Sequence, residues 1–161
     1  MTDDIRALDT VRIERTLDAP VEVVWQMWTR PDLFASWYGP AGATIDVVEM
    51  DIRIGGRRLI RMQMDTPGGA HEMWFTGEHV DIVENRRLVY TESMADADGN
   101  VVVPSTIGMP ADHPESTTVT VELEAVDGGT TMVMTHAGIP SGSPGAAGWN
   151  MAFDKLVTGL A

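Results

Sequence analysis

Ser143-Pro144-Gly145-Ala146-Ala147-Gly148-Trp149 opens the stretch of sequence that decides the fold, and this stretch runs on to Leu160. Ser143 is a suitable helix cap, and Pro144 suits the first turn of a helix. Downstream, apolar residues recur at the spacing of one helix face, with polar residues on the other side. The apolar residues are Trp149, Ala152, Phe153, Leu156 and Leu160, and the polar ones are Asn150, Asp154, Lys155 and Thr158. The pattern predicts one long amphipathic helix.

Between residue 43 and this helix, most of the sequence alternates between apolar and polar residues, as β-strands do. Short turn sequences such as Asp127-Gly128-Gly129 separate these segments, which is typical of an antiparallel meander. Gly77 lies inside the fourth strand and predicts a bulge or sharp bend there. The predicted strands cover residues 11–17, 44–51, 57–64, 71–83, 87–94, 117–126 and 130–137.

Two short helices are predicted between the first and second strands. Pro20 lies in the first turn of one, and Pro31 restarts the chain into the other. The order is one strand, two short helices, six strands and a long helix, which is an α+β layout with helices on one face of a curved sheet. Because the sheet has a face to cover and the last helix has a stripe to bury, we expect the sheet to curl around that helix. We expect the two not to meet completely, which leaves an apolar cavity.

Residues 1–161 are predicted to form a single domain, because this length suffices for one core and no linker or repeat divides it. Residues 1–9 are predicted to be flexible. Residues 95–116 form a long loop rich in glycine and proline, and a loop of this length is interpreted as either a lid or a decorated edge.

The charge of the chain limits its partners. A net charge of −13 argues against nucleic acid and anionic membranes, because both favour a basic surface. No apolar run is long enough to cross a membrane, and the acidic start Met1-Thr2-Asp3-Asp4 is unlike a signal peptide. The absence of cysteine excludes disulfides and thiolate chemistry and suits a cytoplasmic protein. Lys155 is the only lysine, which we interpret as genome composition or a saline habitat.

Several short sequence motifs occur in an order and spacing that match a known protein family. They are Ala19-Pro20 followed by Val24-Trp25; Trp37-Tyr38-Gly39-Pro40; Asp51 with Arg53 and Gly55-Gly56; Phe75-Thr76-Gly77-Glu78; Arg87-Leu88-Val89-Tyr90; Thr135-His136; and Gly148-Trp149 with Leu156. Together they resemble the START-like (SRPBCC) superfamily with its helix-grip fold, and within it the AHSA1-like group, named after the activator of Hsp90 ATPase. The resemblance spans residues 11–160.

This resemblance implies a seven-stranded antiparallel sheet gripping the C-terminal helix around a deep apolar cavity. It does not imply one function, because relatives include lipid and hydrophobic-ligand binders, polyketide cyclases and aromatases, stress-related proteins and co-chaperone domains. We predict that the ligand cavity is lined by Trp37, Ile60, Met62, Met64, Trp74, Tyr90, Met132, Met134, His136, Trp149 and Phe153.

Three residues are candidates for catalysis. His136 shares a strand face with Met132 and Met134, and because histidine as a residue type has an unperturbed pKa near neutrality, it could transfer a proton. An isolated histidine more often serves as a hydrogen-bonding group at a strand end, and we expect that role here. Tyr90 and Glu92 share a face of the fifth strand and could orient a polar ligand head. The expected alternative is a core tyrosine with solvent-facing glutamates, Glu78 included.

Arg58 and Arg61 of the third strand point to opposite faces of the sheet, so only one of them can point inward. An inward Arg58 would suit a ligand carboxylate, but we expect a rim arginine with a packed stem and a solvated head. No metal site is predicted, because His71 and His79 are too far apart along one strand and His113 and His136 lie elsewhere. No cofactor-binding motif or nucleophile motif occurs.

The leading functional hypothesis is a cytoplasmic binder of a small hydrophobic or aromatic molecule, with no identifiable reaction. The first alternative is a polyketide cyclase or aromatase-like enzyme that positions its substrate near Tyr90, Glu92 or His136. The second is an interaction module for an Hsp90-type chaperone, which we do not expect because the chain lacks a second domain and is strongly acidic. Monomer and homodimer both stay open.

Overall fold

The computed structural model describes residues 10–103, 115–139 and 144–160, and these contain seven strands and three helices. The strands are β1 (Thr10–Leu17), β2 (Thr44–Met50), β3 (Arg57–Thr66), β4 (Gly69–Val83), β5 (Arg87–Ala95), β6 (Thr117–Val126) and β7 (Gly129–Ala137). The helices are α1 (Val21–Thr29), α2 (Pro31–Ala35) and α3 (Pro144–Leu160). The predicted α+β order is confirmed, and the predicted strand ends lie within two residues of the observed ones.

All seven strands form one antiparallel sheet in the order β1-β7-β6-β5-β4-β3-β2. From β2 to β7 the strands pair in sequence order, which confirms the predicted meander. β1 pairs with β7 over its full length, from Thr10 opposite Ala137 to Leu17 opposite Thr130. The first and last strands are therefore neighbours, and α3 is the next element after β7 in the sequence.

The core lies between the inner face of the sheet and the three helices. On β7, the side chains of Met132, Met134 and His136 are buried and alternate with more exposed neighbours. This alternation is the strand periodicity that the sequence shows. The apolar stripe predicted for α3 is buried, apart from the half-buried Leu160; its members are Trp149, Ala152, Phe153 and Leu156.

Aromatic side chains from all three helices meet around Trp28. Its ring centroid lies 4.8 Å from that of Trp37, 6.2 Å from Phe34 and 6.1 Å from both Trp149 and Phe153. The indole nitrogen of Trp28 donates to the sulfur of Met132 at 3.3 Å, which joins α1 to β7. Pairs of this kind stabilise a core beyond the area that they bury. The helices thus share one aromatic cluster above the sheet.

The irregularity predicted at Gly77 lies three residues further along β4. The register with β5 shifts between His79 and Asp81, so Val80 is the extra residue. Gly77 has a different role, because a Cβ atom at that position would lie 1.8 Å from the carbonyl oxygen of Thr91. The glycine allows β4 and β5 to approach more closely than any side chain would permit.

Polar contacts hold α3 in place at both sides. Arg15 of β1 pairs with Asp154 at 3.0 Å. The ammonium of Lys155 donates to the carbonyl oxygens of Tyr38 and Pro40, each at 3.3 Å, and burial lowers the pKa of this amine. The only lysine of the chain therefore connects α3 to the segment that links α2 and β2.

The first part of the predicted long loop is ordered. The carboxylate of Asp96 accepts hydrogen bonds from the backbone nitrogens of Asp98 and Asn100 at 3.0 and 2.9 Å, and Ala95 forms a bridge with Val101. Residues 95–103 thus continue β5 as a tight turn. The rest of the predicted lid, the predicted flexible residues 1–9 and the predicted cap Ser143 lie outside the described residues.

Candidate functional site

Arg58 of β3 lies in the core, with 3% of its surface exposed. It stands opposite Gly77 of β4, which has no side chain to block its path. Its guanidinium carbon lies 3.5 Å from the ring centroid of Tyr90, on the strand beyond β4. The expectation of a rim arginine with a solvated head was wrong, because the glycine lets this side chain cross β4 beneath the helices.

The terminal nitrogens of the Arg58 guanidinium have no polar partner in the described part of the chain. Its central carbon lies over the rings of Tyr90 and Phe34, 3.5 and 5.3 Å from their centroids. Both terminal nitrogens, Nη1 and Nη2, are buried, and neither has a hydrogen-bond partner within the described part of the chain. No described carboxylate forms an ion pair with it either. A buried charged group without in-plane acceptors is costly for the folded protein.

The hydroxyl of Tyr90 is similarly unsatisfied. It is fully buried and has no hydrogen-bond partner among residues 10–103, 115–139 and 144–160. Burial raises the pKa of this phenol, and the positive charge of Arg58 offsets the rise only in part. The phenol is therefore neutral near pH 7 and can both donate and accept a hydrogen bond.

His79 supplies a third buried polar atom near Tyr90, with 6.3 Å between the two ring centroids. Its Nδ1 lies 3.1 Å from the carbonyl oxygen of Gly56, and because a carbonyl only accepts, this nitrogen carries the proton. Burial and the charge of Arg58 lower the pKa of the ring, which keeps it neutral. Nε2 is then an acceptor, and the described residues offer it no donor.

Glu92 and Tyr38 form a hydrogen-bonded pair beside these groups. The hydroxyl of Tyr38 donates to Oε2 of Glu92 at 3.1 Å, and Glu92 is half-buried. Burial, followed by the charge of Glu92, raises the pKa of Tyr38 well above its usual value. The expectation of solvent-facing glutamates holds for Glu78, which is exposed, and is wrong for Glu92. The pair presents a neutral phenol bound to a carboxylate.

His136 has both ring nitrogens in hydrogen bonds. The indole nitrogen of Trp149 donates to Nδ1 at 2.9 Å, so Nε2 carries the proton and donates to the hydroxyl of Thr117 at 2.7 Å. Thr117 donates in turn to the carbonyl oxygen of Glu92 at 3.2 Å. The expected hydrogen-bonding role at the strand end is therefore observed, and the histidine fixes α3 to the sheet.

Most of the predicted cavity residues lie on the inner face of the sheet or on the helices above it. Trp74 does not, because it shares the outer face of the sheet with Arg61, whose guanidinium carbon lies 5.8 Å from its ring centroid. Its indole nitrogen donates to Glu72 at 2.6 Å. The remaining predicted residues are buried or pack against the core: Trp37, Ile60, Met62, Met64, Tyr90, Met132, Met134, His136, Trp149 and Phe153. That they enclose a ligand stays a prediction.

A surface groove of about 990 Å³ lies on the other side of the sheet. Its lining includes Thr131, Val133 and Thr135, which alternate along β7 with the inward-facing Met132 and Met134. This groove therefore faces away from α3. It is distinct from the interior region that contains Arg58.

Arg58, His79 and Tyr38 were not among the predicted site residues, although the sequence contains a signal for two of them. Arg58 is on the same strand face as Ile60, and His79 is on the same face as Phe75, so alternation places both inward. Tyr38 follows a short helix, and nothing in its surroundings indicates Glu92 as its partner. No cluster of metal-binding side chains and no helix suited to cross a membrane occurs in the described ranges; His113 lies outside them.

Comparison with known families explains the layout. Residues 18–161 match the family described as activator of Hsp90 ATPase homolog 1-like protein. The chain belongs to this family. The match covers most of the sequence and confirms the resemblance that the short motifs indicated. No curated protein matches the chain.

Solved structures of this family type share the fold. A crystal structure of a Chromobacterium violaceum protein has a TM-score of 0.77 at 25% identity, with 94% of this chain and 96% of that chain covered. A Mycobacterium smegmatis protein has a TM-score of 0.76 at 22% identity, with 97% of this chain and 93% of that chain covered. An AHSA1 protein from Silicibacter pomeroyi gives 0.69 at 16% identity, covering 94% and 96%. The helix-grip architecture, a curved seven-stranded sheet with a C-terminal helix, is thus confirmed.

Proposed function

We propose that this protein binds a small hydrophobic or aromatic molecule between the inner face of the sheet and α3, and that a polar group of this molecule contacts Arg58. The observation that supports the proposal is the buried guanidinium, whose terminal nitrogens have no partner in the described structure. Proteins of this family commonly bind ligands or resemble polyketide cyclases, and either role agrees with a binding site in the interior. The proposal includes the cytoplasm as the compartment of the protein.

An apolar residue at position 58 would avoid the cost of burying a charged group. Replacing buried charged groups by apolar side chains of similar volume is often neutral or stabilising. A core built only for stability would therefore favour methionine or leucine beside Ile60 and Met62. Retaining an arginine there has a stability cost that a bound polar group can offset.

The direct test is native mass spectrometry of the protein purified from its own host. We expect a co-purifying small molecule that is released on denaturation, and we expect Arg58→Met to retain less of it than Arg61→Met does. Arg61 is a matched control because it is on the same strand but points outward. An empty protein that binds no aromatic probe would contradict the proposal. Recovery of a chaperone at stoichiometric yield in a pull-down would instead favour the interaction module.

A second candidate is the polyketide cyclase or aromatase-like enzyme, and the pair of Tyr38 and Glu92 favours it. If the hydroxyl of Tyr38 turns from Glu92 to the substrate, its proton could instead stabilise a developing enolate. Under this alternative, Tyr38→Phe abolishes conversion of a poly-β-keto thioester while leaving its binding within a factor of about three. Unchanged conversion in Tyr38→Phe would remove this role.

A further inference from the structure

The donors of Arg58 define where the polar group of a ligand must lie, and because both terminal nitrogens are buried, the ligand must displace the side chains that cover them. The ring of Tyr90 lies over the guanidinium at 3.5 Å, which covers a face of the planar group. The unpartnered nitrogens Nη1 and Nη2 are at its edge. Two adjacent in-plane donors match the two oxygens of a carboxylate, which can form two parallel hydrogen bonds.

The charge around Arg58 favours a monoanion. Glu92 lies on the inner face of β5 two residues from Tyr90, but it accepts from Tyr38 and forms no ion pair with the arginine. One added negative charge would pair directly with the guanidinium, which Glu92 does not do. A dianion such as a phosphate monoester would place its second charge near the carboxylate of Glu92, and like charges in a buried site repel strongly.

Two further atoms select the neighbouring group of the ligand. Nε2 of His79 can only accept a hydrogen bond, because Nδ1 holds the proton against Gly56. The hydroxyl of Tyr90 can accept or donate. A hydroxyl on the ligand would donate to one of these atoms and satisfy a buried acceptor that otherwise has no partner among the described residues.

The surrounding side chains suit a flat apolar body. Phe34 lies 5.3 Å from the guanidinium carbon of Arg58 and stacks on Tyr38 with ring centroids 4.6 Å apart. Tyr38 in turn meets Trp149 of α3 at 5.6 Å. Aromatic rings prefer offset-stacked or edge-to-face contact with other rings. The polar atoms thus lie beside an aromatic wall.

We infer, on the basis of the proposed function, that the ligand is a small aromatic monocarboxylic acid with a hydroxyl group near its carboxylate. Arg58 binds the carboxylate through both terminal nitrogens. Tyr90 and His79 bind the hydroxyl, and the rings of Phe34 and Tyr38 contact the aromatic body. Arg58 therefore determines the charge of the ligand, and His79 determines its hydroxyl.

Calorimetric titration with three probes tests this ligand class: 2-hydroxybenzoate, benzoate and benzamide. Benzamide has nearly the shape of benzoate without its charge. For the unmodified protein we expect benzoate to bind at least ten-fold more tightly than benzamide, and 2-hydroxybenzoate at least three-fold more tightly than benzoate. Quenching of the core tryptophans gives a second readout, because Trp149 belongs to the predicted wall.

Three variants assign the preferences to residues. Arg58→Met should remove the preference for the acid over the amide, whereas Arg61→Met, on the outer face of the same strand, should keep it. His79→Leu should remove only the preference for the hydroxylated acid. An Arg58→Met protein that still prefers benzoate ten-fold would overturn the inference even if the fold is unchanged.

The possible results distinguish a failure of the acid ligand class from a failure of the proposed binding function. Equal binding of benzamide and benzoate, or a neutral co-purified molecule, would disprove the acid ligand and leave the binding function intact. A co-purified aromatic acid would support the inference even if all three probes bind weakly. An empty protein that binds none of the probes would contradict both.

Discussion

Two buried polar regions on the same sheet differ in one respect. Around His136, the indole of Trp149, the imidazole and the hydroxyl of Thr117 form a continuous series that ends at a backbone carbonyl. Around Arg58, the guanidinium, the phenol of Tyr90 and Nε2 of His79 lack partners within the described residues. Both regions are buried to a similar degree. They differ in how many of their polar atoms form hydrogen bonds, not in how deeply they are buried.

This difference indicates which region supports the fold and which is suited to binding. A fully satisfied buried network fixes neighbouring elements, and that of His136 joins β6, β7 and α3. A cluster with unsatisfied donors and acceptors lowers stability and gains most from an added polar group. Removing a buried polar group should therefore cost less stability around Arg58 than around His136, and removing the guanidinium itself should raise stability.

The largest effect is expected where β4 and β5 approach each other beneath Arg58. Gly77→Ala would place a methyl carbon 1.8 Å from the carbonyl oxygen of Thr91, which the paired strands cannot accommodate without separating. We expect a loss of about 3 kcal/mol or more in the free energy of unfolding. Urea denaturation measures it. Gly148→Ala in α3 is the control, since its added methyl meets nothing within 4 Å and should stabilise by up to about 1 kcal/mol.

His136 and His79 allow the two regions to be compared with the same substitution. His136→Leu removes the acceptor of Trp149 and the donor to Thr117, so we expect a cost of about 2–3 kcal/mol. His79→Leu removes one bond to Gly56 and an acceptor that has no donor within the described ranges, so its cost should be about 1 kcal/mol. Equal losses of unfolding free energy in the two variants would show that the regions do not differ as described.

Arg58→Met should raise stability. The substitution replaces a buried guanidinium, whose terminal nitrogens have no acceptor among the described residues, by an apolar chain of similar length, and we expect a gain of about 1–2 kcal/mol in the ligand-free protein. Thermal unfolding of dialysed samples measures the gain. Arg61→Met should change little, because its pairs with Asp46 and Glu72 are exposed. A destabilised Arg58→Met protein would mean that the arginine supports the core.

The smallest effect concerns pH. Burial and the charge of Arg58 lower the pKa of His79 below the ordinary 6.5, so the unfolded chain binds a proton more readily than the folded one. The stabilising contribution of the neutral ring is therefore present above pH 6.5 and declines as the pH falls through the lowered pKa. Unfolding titrations between pH 7.5 and 5 should show a weaker decline in His79→Gln than in the unmodified protein. Identical slopes would contradict this assignment.

The layout of the fold could be predicted because it depends on periodicity. Alternation along β6 and β7 and the apolar stripe of α3 each define a face, and turns such as Asp127-Gly128-Gly129 define the strand order. The orientation of Trp74 could not be predicted in this way. Met73, Trp74 and Phe75 are consecutive apolar residues, and only the register with β3, which pairs Trp74 with Arg61, decides which of them points outward.

The candidate site could be predicted only in part. Tyr90 and Glu92 were selected because they share a strand face, and that relation holds. Arg58 was placed at the rim because charged side chains are usually solvated. The space that it occupies depends on the missing side chain of Gly77 on the neighbouring strand, a contact between residues 19 positions apart. Single-strand alternation contains no information on such pairs.

Lys155 has a practical consequence. Since it is the only lysine of the chain and its ammonium is bonded to two carbonyl oxygens below α3, an amine-selective acylating reagent has a single lysine side chain to modify. The nitrogen must first leave those carbonyls and lose its proton. Its acylation rate, followed by peptide mapping, would therefore report how often the Lys155 side chain leaves the segment after α2, with and without a small molecule beneath the helix.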